Sequence, residues 1–315
     1  MKIPMKIIIC LILFANAVNF THAQTAPVKH EWNVTLKVVD ESNQPIAAAK
    51  AEVGYFSKSQ PATIDGLTDT NGLFKASHSA YSGLLGFVAQ KAGYYKTKKP
   101  TYDLGFAYDP VRWNLAPTII LRRIGDPIAM YAKEQEMKFS KEDEPIGFDI
   151  MVGDWVTPYG KGFHADIFFM VHRKIINERK FNADLIVTFP NKGDGIATAP
   201  SEPDLGSEFK TSRTAAENGY EPELDLHYSH TNQPESVFGY FIRVRTELNP
   251  DGTIKSTLYG KIVGNIRFYA GTIAPTSGMG FTYYLNPTPN DRNVEFDPKQ
   301  NLLKNLKPGE EVSAP

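Results

Sequence analysis

The chain is 315 residues long, carries 34 Lys and Arg against 35 Asp and Glu, and has a formal net charge of −1. That balance excludes the strong basic field that gathers nucleic acid. A hydrophobic share of 42% with 22% charged residues excludes a disordered chain.

Met1 to Ala23 reads as a secretory leader. Lys2 and Lys6 make the positive start, Ile7 to Val18 is an apolar run too short to span a bilayer, and Thr21-His22-Ala23 places small residues where a signal peptidase cuts. Cleavage before Gln24 is expected, with export to the periplasm, the outer surface or the medium and no transmembrane segment left behind. Cys10, the single cysteine, leaves with the leader. Disulfides, thiolate chemistry and zinc–cysteine sites are thereby excluded from the remainder. From Gln24 on, the chain is long enough for two domains.

Short aromatic and β-branched runs between turn signals, with 22 prolines and 24 glycines, predict an all-β chain of two β-sandwich domains. In the first, Trp32 to Val39 alternates apolar and polar residues with the period of a half-buried strand. Asp40 to Pro45 is a polar turn, and Ala47 to Val53 resumes as a strand with small residues suited to close packing. Thr68-Asp69-Thr70-Asn71-Gly72 is turn chemistry, since Asp and Asn bond their own backbone and Gly accepts positive φ. Phe87-Val88-Ala89 and Thr118-Ile119-Ile120-Leu121 supply later strands.

These residues resemble the carboxypeptidase regulatory-like modules. The matching features are Val39-Asp40 with Pro45 and Ala49, Thr68 to Phe74, Lys91-Ala92-Gly93-Tyr94-Tyr95, and the closing TIILRR, over residues 31–123. Gln44 stands where that family commonly has glycine, and Tyr102 to Leu115 is longer and more aromatic than a minimal module. The resemblance implies a transthyretin-like sandwich that is accessory and non-catalytic. The zinc-binding catalytic domain that gave the family its name is absent, as is any HExxH motif.

Ile128 to Met137 follows Asp126-Pro127 and is rich in helix formers, which predicts a short helix. With the charged stretch Lys141 to Pro145 it makes residues 124–146 a helical connector. Residues 147–306 then form a larger, jelly-roll-like sandwich, and 307–315 a disordered tail.

Within the second domain, Phe163 to Arg173 reads as a strand with His164, Asp166, Phe168, Met170 and His172 on one face. If it met Asp225 to His230 in space, His164, Asp166, His227 and His230 would be a ligand set for one divalent metal (zinc, iron or manganese) in a hydrolase or oxygenase. The plainer reading is surface histidines. No GxSxG is present, and Pro190 to Gly195 lacks the Lys-Ser/Thr of a phosphate loop. Asp194 and Asp251 lack EF-hand spacing. Ala199 to Pro222 is a mobile loop or lid.

Tyr240 to Ile262 is a hairpin around Asn249-Pro250-Asp251-Gly252, with Tyr240, Ile242, Val244 and Leu248 on its buried face. The other face gathers Arg243, Arg245, Lys255 and Lys261 around Tyr259, suited to an acidic polysaccharide or a lipid head group, or simply solvated. Asp291-Arg292 pins the terminal loop or offers a guanidinium to a carboxylate or sugar. Trp155, Tyr159, Tyr220, Tyr228, Tyr283 and Tyr284 are candidate platforms for sugar rings. The favoured expectation is an exported, non-catalytic protein without cofactor that binds a polysaccharide or an envelope protein. The metal-dependent enzyme is the alternative.

Overall fold

The computed structural model describes residues 29–56, 61–81, 83–103, 110–200, 206–271 and 276–315. The leader read at 1–23 lies outside them. The fold is nearly all β, two sandwiches in sequence and no barrel.

The first sandwich holds β1 (His30–Asp40), β2 (Lys50–Phe56), β3 (Ala62–Leu67), β4 (Leu73–Ala80), β5 (Leu84–Gln90), β6 (Thr97–Asp103), a single helical turn α1 (Pro110–Trp113), β7 (Asn114–Leu115) and β8 (Thr118–Leu121). One sheet runs β4-β1-β7, with β8 also on β1, and the other runs β3-β2-β5-β6. Trp32, Val34, Leu36 and Val38 point inward from β1 onto Ala51, Val53 and Phe87, as the period of two requires. Two aspartates shape the turns between these strands. Asp40 Oδ1 accepts the amides of Ser42 and Gln44, both at 2.9 Å. Asp69 Oδ1 accepts those of Asn71 at 2.9 Å and Leu73 at 2.8 Å. Between them Gly72 takes φ 73°, and a Cβ there would meet the Val38 carbonyl oxygen at 2.4 Å, so only glycine fits.

The predicted helical connector is a strand, β9 (Ile128–Lys138). It pairs along its length with β18 (Gly278–Leu285), Tyr131 opposite Leu285 through Lys138 opposite Gly278. Ala, Met, Glu, Lys and Gln favour helix locally, but sheet pairing and burial on both faces outweigh a few tenths of a kcal/mol per residue. The first sandwich therefore passes into the second with no helical spacer.

Between β9 and β18 in the chain lie β10 (Ile146–Asp149), β11 (Asp154–Trp155), β12 (Ile167–Asn177), β13 (Lys180–Thr188), β14 (Gly195–Thr198), β15 (Glu223–Ser229), β16 (Gly239–Leu248) and β17 (Ile254–Tyr269), with β19 (Phe296–Asn301) after. The sheets run β11-β10-β12-β13-β15 and β14-β16-β17-β18-β9-β19. Sequence neighbours β12-β13 and β16-β17-β18 are hydrogen-bonded hairpins within one sheet, whereas β9-β10, β13-β14, β14-β15 and β15-β16 connect one sheet to the other, so the second domain is a β-sandwich of mixed connections. Phe148, Phe169, Leu185, Ile242, Ile262, Phe281 and Tyr283 fill the space between the sheets.

The outer face of the six-stranded sheet is covered too. Phe241, Tyr259 and Tyr284 pack under Ala199, Ala215, Val294 and Phe296. The loop expected to be mobile over 199–222 is, in its described part, a strap: Lys98 N donates to Gly206 O at 2.8 Å and Glu208 N to Lys96 O at 3.0 Å. The tail over 307–315, expected to be disordered, has no regular structure but lies against the sandwich. Glu310 pairs with Lys133 at 3.3 Å, and Tyr284 Oη donates to Ala314 O at 3.2 Å. Among the described residues, no helix is long and apolar enough to cross a membrane.

Candidate functional site

Three polar regions stand out, and they differ in how completely their groups are paired. The first joins the two sandwiches. Arg122, buried, donates to Glu41 at 3.2 Å and to the carbonyls of Phe209 and Thr211, both at 2.9 Å. Arg213 holds both oxygens of Glu41 at 3.0 and 3.2 Å and approaches Glu295 at 3.4 Å. Glu295, fully enclosed, accepts the Tyr95 hydroxyl at 2.6 Å and the Gly125 amide at 2.8 Å. Burial and the Glu295 charge push the Tyr95 hydroxyl far above its ordinary range.

Lys261 sits at the centre, its ammonium over the rings of Phe209 at 4.8 Å and Tyr284 at 4.5 Å and 3.2 Å from Thr211 Oγ1. Its burial is the price of covering the outer face, which the hairpin pattern had left solvated. That burial pulls its pKa down to about 7, with Glu295 acting the other way. With Lys261 neutral, two guanidiniums (Arg122, Arg213) face two carboxylates (Glu41, Glu295). The cluster is balanced and structural.

The second region explains Arg245. A bulge between Val244 and Glu247 puts Arg245 at φ 56°, its amide and that of Thr246 bonded to Asp194 at 3.1 and 2.8 Å. The bulge turns the guanidinium away from Arg243 and onto Asp166, which it grips at 2.7 and 3.0 Å, with Asp149 at 3.4 Å. Asp166 also accepts the Ile150 amide at 3.0 Å. Asp149 Oδ2 accepts the amides of Phe163 and His164, both at 3.1 Å. Those two residues precede the strand predicted to contain them, which begins at Ile167.

The predicted metal set is not brought together. His164 is exposed 3.6 Å from Asp166, His227 bonds Asp184 at 2.6 Å across the β13–β15 pair, and His230 faces the Phe181 carbonyl at 3.4 Å. Among the described residues no group of three or more His, Cys, Asp or Glu is arranged to hold a metal ion. Most predicted ring platforms are core: Trp155, Tyr228, Tyr283 and Tyr284 are buried, as is Tyr259 of the hairpin face. Tyr228 spends its hydroxyl on Ile266 O at 2.5 Å. Arg243 lies over the Tyr220 ring at 4.4 Å and bonds Gly193 O at 2.5 Å, while Arg292 bonds Ala215 O at 3.1 Å and reaches Glu217 at 3.8 Å. Arg292 thus pins the loop. Lys255 pairs with Glu247 on the surface at 3.0 Å.

The third region does collect Trp155 and Tyr159. A groove of about 450 Å³ runs along the free end of β9, between the turn at Gly153 to Lys161 and residues 303–310. Trp155 forms its wall, packed on Phe139, Phe148 and Phe169, with Nε1 donating to Lys138 O at 3.1 Å. Tyr159 is half-buried at its rim and in hydrogen-bonding reach of Lys141. Gln135 lies in it with 5% exposure; its Nε2 donates to Glu136 O at 3.3 Å, and its Oε1 is buried with no partner among the described residues. Beneath Gly153, the Tyr283 hydroxyl is likewise buried without a partner.

The groove's three acids are engaged. Glu136 takes Arg267 and Tyr269, both at 3.0 Å, and Asp154 takes the amides of Trp155 at 2.9 Å and Lys161 at 3.0 Å. Glu310 takes Lys133 and the Lys307 amide; these hold its carboxyl below the ordinary range although burial acts to raise it. Of the five lysines, only Lys133 has a carboxylate partner among the described residues; Lys138, Lys161, Lys304 and Lys307 have none. Gln135, Lys133 and Lys138 were hidden from the sequence reading by the helix assigned to their segment. The alternation of Met130 and Ala132 with Tyr131 and Lys133 was the signal that could have revealed them.

No protein-family model matches the chain, and no curated protein matches it. Eight solved chains are distantly similar, two of them as follows. A DUF3823 family protein from Parabacteroides merdae is 8% identical over 85% of this chain and 98% of its own, with a TM-score of 0.21. A 3-chlorocatechol 1,2-dioxygenase from Rhodococcus opacus is 12% identical over 30% of this chain, with a TM-score of 0.23. The chain spans 60% of that dioxygenase's length. At such scores neither likeness bears on what this chain does.

Proposed function

We propose that the chain is an exported, non-catalytic binding protein and that the groove beside β9 takes a saccharide. The observation that carries this reading is the Gln135 amide oxygen, buried and unmet in a groove that also presents Trp155 and Tyr159. A buried acceptor without a donor costs about 1–3 kcal/mol. With the amide turned outward into the groove a sugar hydroxyl removes that penalty, and the C–H face of a sugar ring packs on the face of the Tyr159 ring. In this reading the first sandwich is an accessory module of the carboxypeptidase regulatory-like kind. The leader at 1–23 delivers the protein to the periplasm, outer surface or medium, and no cofactor takes part.

The test is calorimetric titration of the purified protein with soluble polysaccharides, dextran and polygalacturonate among them, for the parent and Tyr159→Ala. Losing a stacked ring is worth about 1 kcal/mol. Roughly a five- to tenfold weakening is expected, with the fold intact because Tyr159 sits at the rim. No binding to any polysaccharide, or identical binding by the variant, would refute the proposal.

A further inference from the structure

We infer that the groove selects an acidic saccharide, one bearing carboxylate or sulfate groups; this rests on the saccharide reading above. The argument is the asymmetry of pairing. Every carboxylate of the groove already has donors, Glu136 in Arg267 and Tyr269, Asp154 in two amides, Glu310 in Lys133. Four ammoniums, Lys138, Lys161, Lys304 and Lys307, have no carboxylate within salt-bridge distance among the described residues, and all four side chains are exposed. They come from three separate segments, β9, the turn after β11 and the chain after β19, so folding rather than a local charge run assembles them. The lining carries five lysines against three acids, an excess of positive charge that water screens in the free protein. A polyanion laid along the groove satisfies them, while Gln135 Oε1, which only accepts, takes a hydroxyl and Tyr159 takes a ring face. A neutral glycan would use the amide and the ring but leave the cations unmet.

Affinity for polygalacturonate is compared with that for its fully methyl-esterified form, and affinity for dextran sulfate with that for dextran, at 0.05 and 0.5 M salt. The expected result is at least a tenfold preference for the charged member of a pair, largely lost at high salt; the pair that shows it identifies carboxylate or sulfate. The variant K138A/K161A/K304A/K307A should lose the preference. A control of equal charge change at exposed lysines elsewhere, K75A/K174A/K180A/K192A, should keep it. Equal affinity for both members of each pair overturns the acidic preference and leaves the saccharide reading standing. Binding to none of the four overturns both. A preference that survives the groove variant, or vanishes in the control, overturns the placement of the anion in this groove.

Discussion

The junction between the sandwiches and the groove beside β9 are both rich in charge, yet they are built to opposite rules. At the junction, Arg122, Glu295 and Tyr95 are enclosed, Arg213 and Glu41 close the cluster at its solvent edge, all five are bonded within it, and Lys261 gives up much of its charge to stay there. In the groove, an amide oxygen is left without a partner and four ammoniums without a carboxylate among the described residues, Lys304 donating only to the Asn301 carbonyl at 2.6 Å. Burial with full pairing holds a fold together. Groups held in place but left unpaired are what a ligand needs.

The contrast is broken most severely at Glu295. Glu295→Ala strips the acceptor from the buried Tyr95 hydroxyl and from the Gly125 amide and takes one of the two carboxylates beside Arg213, a loss of about 3–5 kcal/mol. Urea unfolding measures it, and a loss under about 1 kcal/mol would mean the junction is not the staple described.

Next comes pH. Lys261 titrates near 7 in the folded chain against an ordinary value of 10.5. Between those values the unfolded chain binds the extra proton, so stability rises with pH across roughly 7 to 10, with a slope of up to about 1.4 kcal/mol per unit, and is flat from this source below 7. The neutral Lys261→Met should flatten that slope. An unchanged slope in the variant would show that Lys261 is not its origin.

A smaller effect of opposite character belongs to the groove. Gln135→Met keeps the volume and removes the unmet acceptor, so it should stabilise the protein by about 1 kcal/mol while weakening saccharide binding. Destabilisation by a similar amount would mean that the amide is structural after all. Smallest is Lys161→Ala, expected within about 0.5 kcal/mol of the parent in stability because the side chain is exposed. Its effect should appear only in binding to an acidic glycan.

The first sandwich was largely legible in the sequence because its signals are local. Trp32 to Val38 alternate, Asp40 and Asp69 cap their own turns, and Gly72 stands where no side chain fits. The groove was legible only through Trp155 and Tyr159. Its other parts come from β9, whose composition favours helix, and from a tail whose polarity suggests disorder; both are ordered by residues far away in the chain. Arg245 was misplaced for a related reason. A single bulge, fixed by Asp194 some fifty residues earlier, reverses the direction that strict alternation assigns.

The most direct measurement is amide hydrogen exchange of the full protein with and without polygalacturonate. Added protection should be concentrated in residues 152–161 and 303–310, with the junction strap at 206–213 unchanged. Protection centred on the strap, or spread evenly over both sandwiches, would contradict the account.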